Sequence, residues 1–217
     1  MYRNRWNHTK CVTVTAMFAA IIFLFTFTGI GIIPLPFLRP TTLHIPVIVG
    51  ALLLGPKYGA ALGFTFGLAS MLFATFFPGA TSFVFSPFID LPGTSNGSLM
   101  AFIVAFIPRI LVGIVAWYVF AGFDKILRSK KKAVSWAAAG LAGALTNTLL
   151  VLHFIFLFFG ETWNAARATP SEVIYWGILS LISINGIPES IMSAILVPAI
   201  ISALVAVISR MPETRKV

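Results

Sequence analysis

Apolar residues along this chain come in long runs rather than in alternation. The first run, roughly Val12 to Phe27, carries no charged residue. Gly29 to Thr42 follows, with Pro34, Pro36 and Pro40; proline fixes φ and biases its predecessor toward extended backbone, so a break is predicted. A shorter run, His44 to Leu54, ends at Gly55-Pro56-Lys57-Tyr58-Gly59, a turn signal. A third run covers Ala60 to Phe76. Phe77 to Ser98, with Pro78, Pro87, Asp90, Pro92 and Asn96, reads as a long loop. The fourth run is Leu99 to Phe120, the fifth Ala133 to Phe159 and the last Pro188 to Ile208. Between the last two lie a loop, Gly160 to Pro170, and the apolar stretch Val173 to Ile184, which Asn185-Gly186-Ile187-Pro188 interrupts. A crossing helix needs about 20 apolar residues, so Val173 to Ile184 reads as a short helix at the outer surface. The pattern predicts an all-α membrane protein: a bundle of six transmembrane helices in one domain, 1–217, with tails near 1–10 and 210–217. No repeat or low-complexity tract is visible.

Composition agrees. Of the 217 residues, 59% are hydrophobic and 10% charged, with mean hydropathy +0.97, whereas a soluble domain carries roughly 25% charged residues. In lipid, apolar faces can point outward. The formal net charge of +9 does not indicate nucleic-acid binding, because the cations cluster between apolar runs and not along a solvated face. With six spans, one side receives Arg3, Arg5, Lys10, Lys57, Lys125, Arg128, Lys130, Lys131, Lys132, Arg210, Arg215 and Lys216. The other receives Arg39 and Arg167, and Arg109 lies within a span. This asymmetry predicts both termini on the cytoplasmic side. The basic N-terminus superficially resembles a secretory signal, but its apolar run is long and more spans follow, so it reads as a retained helix. Cys11, the single cysteine, gives neither a disulfide framework nor a metal site and reads as a buried apolar residue.

Ionisable groups inside the bilayer are functional candidates, since each costs about 2.5–3.5 kcal/mol on insertion scales. Arg109 lies in Ile107-Pro108-Arg109-Ile110-Leu111-Val112-Gly113, and Glu189 near the outer start of the last span. A guanidinium presents a planar fork that matches a carboxylate, so Arg109 either binds an anionic ligand group or pairs with Glu189 to lock two helices; Glu189 could also position it. Pro108 weakens the helix beside it and can turn carbonyls toward a cavity. Asn147, in Leu145-Thr146-Asn147-Thr148-Leu149, falls at a similar depth. It either hydrogen-bonds a polar ligand or joins helices, a role worth roughly 0.6 kcal/mol on average. Three polar positions on three helices at one depth point to one outward-facing cavity. His44, after Thr41 and Thr42, lines that cavity or begins a helix beneath a threonine cap. His153 reads as buried and satisfied, and neither histidine has partners at metal spacing. Asp90, Ser95 and Asn96 could form a lid. Ala16 and Ala20 lie one helical turn apart, as do Gly59, Gly63 and Gly67; small residues at that spacing let another helix approach closely. There is no Walker A loop, no H-E-x-x-H and no Ser/His/Asp arrangement. A secondary carrier would call for a coupling-ion site and usually a repeat. A lipid-processing membrane enzyme, the reading from another class, would call for acids or a nucleophile near the cytoplasmic face.

Ala16-x-x-x-Ala20, His44-Ile45-Pro46-Val47 through Leu54-Gly55-Pro56-Lys57-Tyr58-Gly59-Ala60, Pro108-Arg109-Ile110-Leu111-Val112-Gly113, Asn147-Thr148-Leu149, and Asn185 with Glu189 occur in an order that resembles the substrate-binding S component of bacterial energy-coupling factor (ECF) vitamin transporters. The resemblance covers nearly the whole chain and looks closest to the pantothenate-specific subfamily. It implies six helices in the cell membrane and a vitamin site near the outer surface, drawn from Thr42, His44, Asn96, Arg109, Asn147, Asn185 and Glu189. It also implies a face at Ala16 and Ala20 that docks on a transmembrane coupling subunit driven by two ATPase subunits. No catalysis, metal or cofactor is implied for the chain itself, since ATP is used by the partners. Pantothenate would offer a carboxylate to Arg109 and an amide and hydroxyls to Asn147 and a lid; folate, riboflavin and niacin are the alternatives.

Overall fold

The computed structural model describes residues 7–29, 42–79, 81–128, 131–167 and 186–210. Every long element among them is helical: α1 (His8–Thr28), α2 (His44–Leu54), α3 (Pro56–Phe76), α4 (Met100–Ile126), α5 (Lys132–Arg167) and α6 (Ile187–Arg210), with a 3-10 turn at Ser82–Val84. Five are long and apolar enough to cross a membrane, the crossing part of α5 being Lys132–Gly160. The sixth, α2, has 11 residues. At about 1.5 Å per residue it spans roughly half of a ~30 Å hydrocarbon core. All of its residues are buried, so it is an inner helix with no lipid-facing side. The six spans expected from the runs are thus five long helices around one short one. Val173 to Ile184 lies outside the described residues.

Two helices outrun their apolar segments. α4 continues past Phe120 to Ile126, carrying Asp124 and Lys125 beyond the apolar stretch. α5 continues to Arg167, so the loop expected from Gly160 does not begin there. Glu161-Thr162-Trp163-Asn164-Ala165-Ala166-Arg167 contains neither glycine nor proline, and nothing in it stops a helix. The turn between α2 and α3 follows its chemistry closely. Gly55 sits at φ 104°, ψ 173°, which glycine adopts without steric cost, and Pro56 occupies the first turn of α3.

Small residues set the packing. On α3, Gly59, Gly63 and Gly67 face Gly113, the Arg109 carbonyl and the Ala105 carbonyl of antiparallel α4. A Cβ on Gly63 would lie 2.1 Å from the Arg109 oxygen, so the two backbones touch. α5 and α6 meet in the same way, Gly140 against the Ser193 carbonyl and Gly186 against Thr148. Gly143 joins the levels: its Cβ would meet Ile48 of α2 at 2.6 Å and Ala116 of α4 at 3.4 Å. The connection after α3 also enters the core. Phe83, Val84 and Ser86 are buried, the Phe83 ring meets Phe159 edge-on at 5.9 Å, and Ser86 shares a 2.7 Å hydrogen bond with Thr75. This half of the expected loop is a packed plug.

α1 is peripheral. Its buried stripe is Cys11, Ile22 and Thr26, which places the cysteine where an apolar residue belongs. Thr13, Ala16, Met17, Ala20 and Leu24 form an exposed stripe.

Candidate functional site

One turn from the level fixed by Gly143, α2 begins with His44 and α5 presents Asn147. His44 is 1% exposed. Its Nε2 lies 2.5 Å from the Ser193 hydroxyl, and its Nδ1 lies 3.1 Å from Glu189 Oε1, off the line of an ideal hydrogen bond. Glu189 and Ser193 are four apart on α6 and therefore share a face, so a single imidazole spans both. In either tautomer one ring nitrogen donates and the other accepts, and the serine hydroxyl can supply the complementary role. The Thr148 hydroxyl donates to Glu189 Oε2 at 3.5 Å, and the Ser190 hydroxyl donates to the Gly186 carbonyl at 2.6 Å. The threonine cap expected for α2 gives way to main chain: the Ile45 N–H donates to the Thr42 carbonyl at 3.0 Å. The His44 side chain is a full member of the polar cluster.

Arg109 lies about one turn further along α4, and its position follows from its neighbour. Pro108 has no N–H, so the Val104 carbonyl loses its helical partner. The Arg109 guanidinium donates Nη1 to that same carbonyl. Its carbon stands 4.9 Å from the centre of the Phe85 ring and 5.5 Å from that of Phe66, contacts worth about 2 kcal/mol when desolvated. The head-on ion pair considered from the sequence is replaced by a divided arrangement, with the arginine engaged by Val104 and two rings and the glutamate by His44 and Thr148.

Besides His44 Nδ1, this cluster has two buried atoms with no hydrogen-bond partner among the described residues: Arg109 Nε, a donor, and Asn147 Oδ1, an acceptor. Such groups cost about 1–3 kcal/mol each unless something satisfies them. Arg109 and Asn147 lie about 25 Å and about 22 Å from the basic ends of their helices at about 1.5 Å per residue. The site therefore lies toward the end remote from the lysine-rich turn.

The structure thus gathers His44, Glu189 and Asn147 at one level, with Arg109 a turn away. Thr42 stands half-buried at the head of α2. Asn96 is exposed, and its carbonyl closes a turn by accepting from the Leu91 N–H at 3.1 Å and the Thr94 hydroxyl at 3.2 Å; its side chain is not drawn into the cluster. Asn185 lies outside the described residues. His153 is exposed on α5 and not buried as expected. Ser193, Phe66 and Phe85 were not anticipated. Ser193 was recoverable as the residue one turn after Glu189, but Phe85, inside an apparent loop, carried no such signal. A hollow of about 510 Å³ lies at the opposite, basic end and is lined by Trp117, Arg128 and Lys132 among others. No group of three His, Cys, Asp or Glu able to hold a metal ion occurs among the described residues.

A bundle of long apolar helices around a buried, partly unsatisfied polar centre is the architecture of a membrane transport subunit. The chain belongs to the family of ECF transporter substrate-specific components, which matches residues 10–201. It is a multi-pass transport protein of the bacterial cell membrane and not an enzyme. Among its relatives is the pantothenic acid transporter PanT of Lactococcus lactis subsp. cremoris, 41% identical over 198 residues, 89% of this chain and 92% of that protein. Another is the pantothenate transporter PanT of Leuconostoc mesenteroides subsp. mesenteroides, 32% identical over 214 residues, 94% of this chain and 96% of that protein.

Proposed function

We propose that this chain is the pantothenate-binding component of an ECF importer, holding the vitamin at the Arg109–Asn147–Glu189–His44 level and delivering it inward with a separate energising module. The observation that carries this reading is the pair of buried, unsatisfied atoms, Arg109 Nε and Asn147 Oδ1. One suits a carboxylate and the other an amide or hydroxyl proton, and pantothenate has all three groups. The relatives transport that compound by name. In this reading His44 and Ser193 fix Glu189, and Glu189 and the Phe66–Phe85 clamp fix Arg109. Thr42, half-buried at the head of α2, completes the pocket, and Asn185 is proposed with it only from its place in the sequence before Glu189; Asn96, exposed in the connection, contributes only on closure. The basic helix ends face the cytoplasm, so both termini are inside and the site opens outward.

The exposed Ala16–Ala20 stripe on α1 would meet the transmembrane coupling subunit, with two ATPase subunits supplying ATP hydrolysis. Small side chains let a foreign helix approach closely.

Calorimetric titration of the detergent-purified chain with pantothenate, folate, riboflavin and niacin tests the reading. The expected result is 1:1 pantothenate binding that Arg109→Ala weakens at least tenfold, a loss of about 1.4 kcal/mol or more. Pantothenate failing to bind, or binding Arg109→Ala equally well, would end the assignment. Tryptophan at Ala16 or Ala20 should abolish co-purification with the coupling subunit while leaving vitamin affinity unchanged.

A further inference from the structure

The basic end of the bundle holds a second feature that vitamin binding does not use. The C-terminus of α4 and the N-terminus of α5 enclose, with α2 and α6, a cavity of about 510 Å³, within the range of small-molecule sites. Its polar wall is Lys125, Arg128, Lys132 and Asp124, three cations against one carboxylate. Its other walls are apolar, with Leu53 from α2, Ile201 from α6 and the indoles of Trp117 and Trp136.

Three further observations bear on what this hollow takes. Trp117 Nε1, an obligate donor, is buried without a partner. Arg128 is the one described non-glycine residue at positive φ, 49°. It follows α4 at a place where glycine is the usual occupant, and it lines the cavity. α5 has no acidic residue in its own first turn, so the positive end of its dipole favours an anion there.

We propose that this cavity binds the headgroup of an anionic phospholipid from the adjoining leaflet, which we place on the cytoplasmic side. A phosphodiester would accept from Trp117 Nε1 and lie among Arg128, Lys125 and Lys132, while its glycerol and upper acyl carbons lie along Leu53, Ile201 and Trp136. A small soluble anion would satisfy the cations but make no use of the apolar walls. A phospholipid matches both, and basic pockets between helices at the cytoplasmic surface are suited to such headgroups. Tryptophan also favours this interfacial depth.

The test is titration of the delipidated, detergent-purified chain with dioctanoyl phosphatidylglycerol, with dioctanoyl phosphatidylcholine and with inorganic phosphate, followed by tryptophan emission. Phosphatidylglycerol should give a saturable change at a concentration well below that of phosphatidylcholine, and raising the salt should weaken it. Arg128→Gly and Lys132→Gln should each weaken it roughly fivefold, the worth of one cation near an anionic surface. Arg128→Gly also relieves the left-handed backbone, so its loss of affinity cannot be traced to misfolding. Trp117→Phe, which deletes only the N–H and some ring area, should weaken binding in the same direction. Equal affinity for the two lipids would overturn the proposal, as would unchanged affinity in Arg128→Gly. Competition by inorganic phosphate would assign the cavity to a soluble anion instead.

Discussion

The contact between α3 and α4 gives a graded prediction about how the vitamin site is held. A Cβ at residue 63 would stand 2.1 Å from the Arg109 carbonyl oxygen and 2.7 Å from Ile110 Cα, where real Cβ contacts stay beyond about 3.0 Å. Both obstacles are backbone, so no rotamer change relieves them and the helices must part by about 1 Å. Overpacking of this kind costs about 1–3 kcal/mol, or roughly 2–4 °C of melting temperature per kcal/mol for a chain of this size. Gly67→Ala meets the Ala105 carbonyl at 2.8 Å, asks for only a few tenths of an ångström and should cost less. Gly122→Ala, on α4 with nothing within 4 Å, should be neutral or gain up to about 1 kcal/mol from helix propensity. Thermal unfolding in one detergent should therefore rank the variants Gly122→Ala, Gly67→Ala, Gly63→Ala from most to least stable. Because the displaced backbone carries Arg109, Gly63→Ala should also lose more pantothenate affinity by calorimetry than Gly67→Ala. A Gly63→Ala protein that melts with the wild type, or a Gly67→Ala protein that is the worse of the two, would refute the close-contact argument.

Two further perturbations probe the polar centre. Pro108→Ala restores an N–H that competes with the Arg109 guanidinium for the Val104 carbonyl; thermal stability should hold or rise while pantothenate affinity falls, and unchanged affinity would show that the carbonyl does not orient the arginine. His44→Phe keeps a ring but withdraws its polar contacts with Glu189 and Ser193, which should cost about 3 kcal/mol. Glu189→Gln in the same chain should recover part of that loss in thermal unfolding, and a double variant no more stable than His44→Phe would refute the role given to the imidazole.

What could be read from the chain alone was whatever depends on local composition and period. Apolar runs imposed helices in lipid, because a backbone with no water to bond must bond itself, and five long helices lie where the runs lie. Arg109, Glu189 and Asn147 stood out because polar groups are costly in that medium, and the glycine spacing on α3 marked a close contact before any partner was known. Tertiary structure decided the rest. Nothing in the sequence around His44 said that its imidazole would bridge Glu189 and Ser193, almost 150 positions away, since that contact exists only once α2 is surrounded by the other helices. Phe85 looked like loop until its ring was seen against the guanidinium. Pro108 read as a weak point in α4, yet the carbonyl it orphans is the one that holds Arg109. The basic cavity was equally hidden: a cluster of lysines in sequence is only a membrane-facing turn until α2 and α6 wall it on the other sides. Such contacts depend on residues far apart along the chain, and their distances are set by how helices pack, which no local pattern encodes.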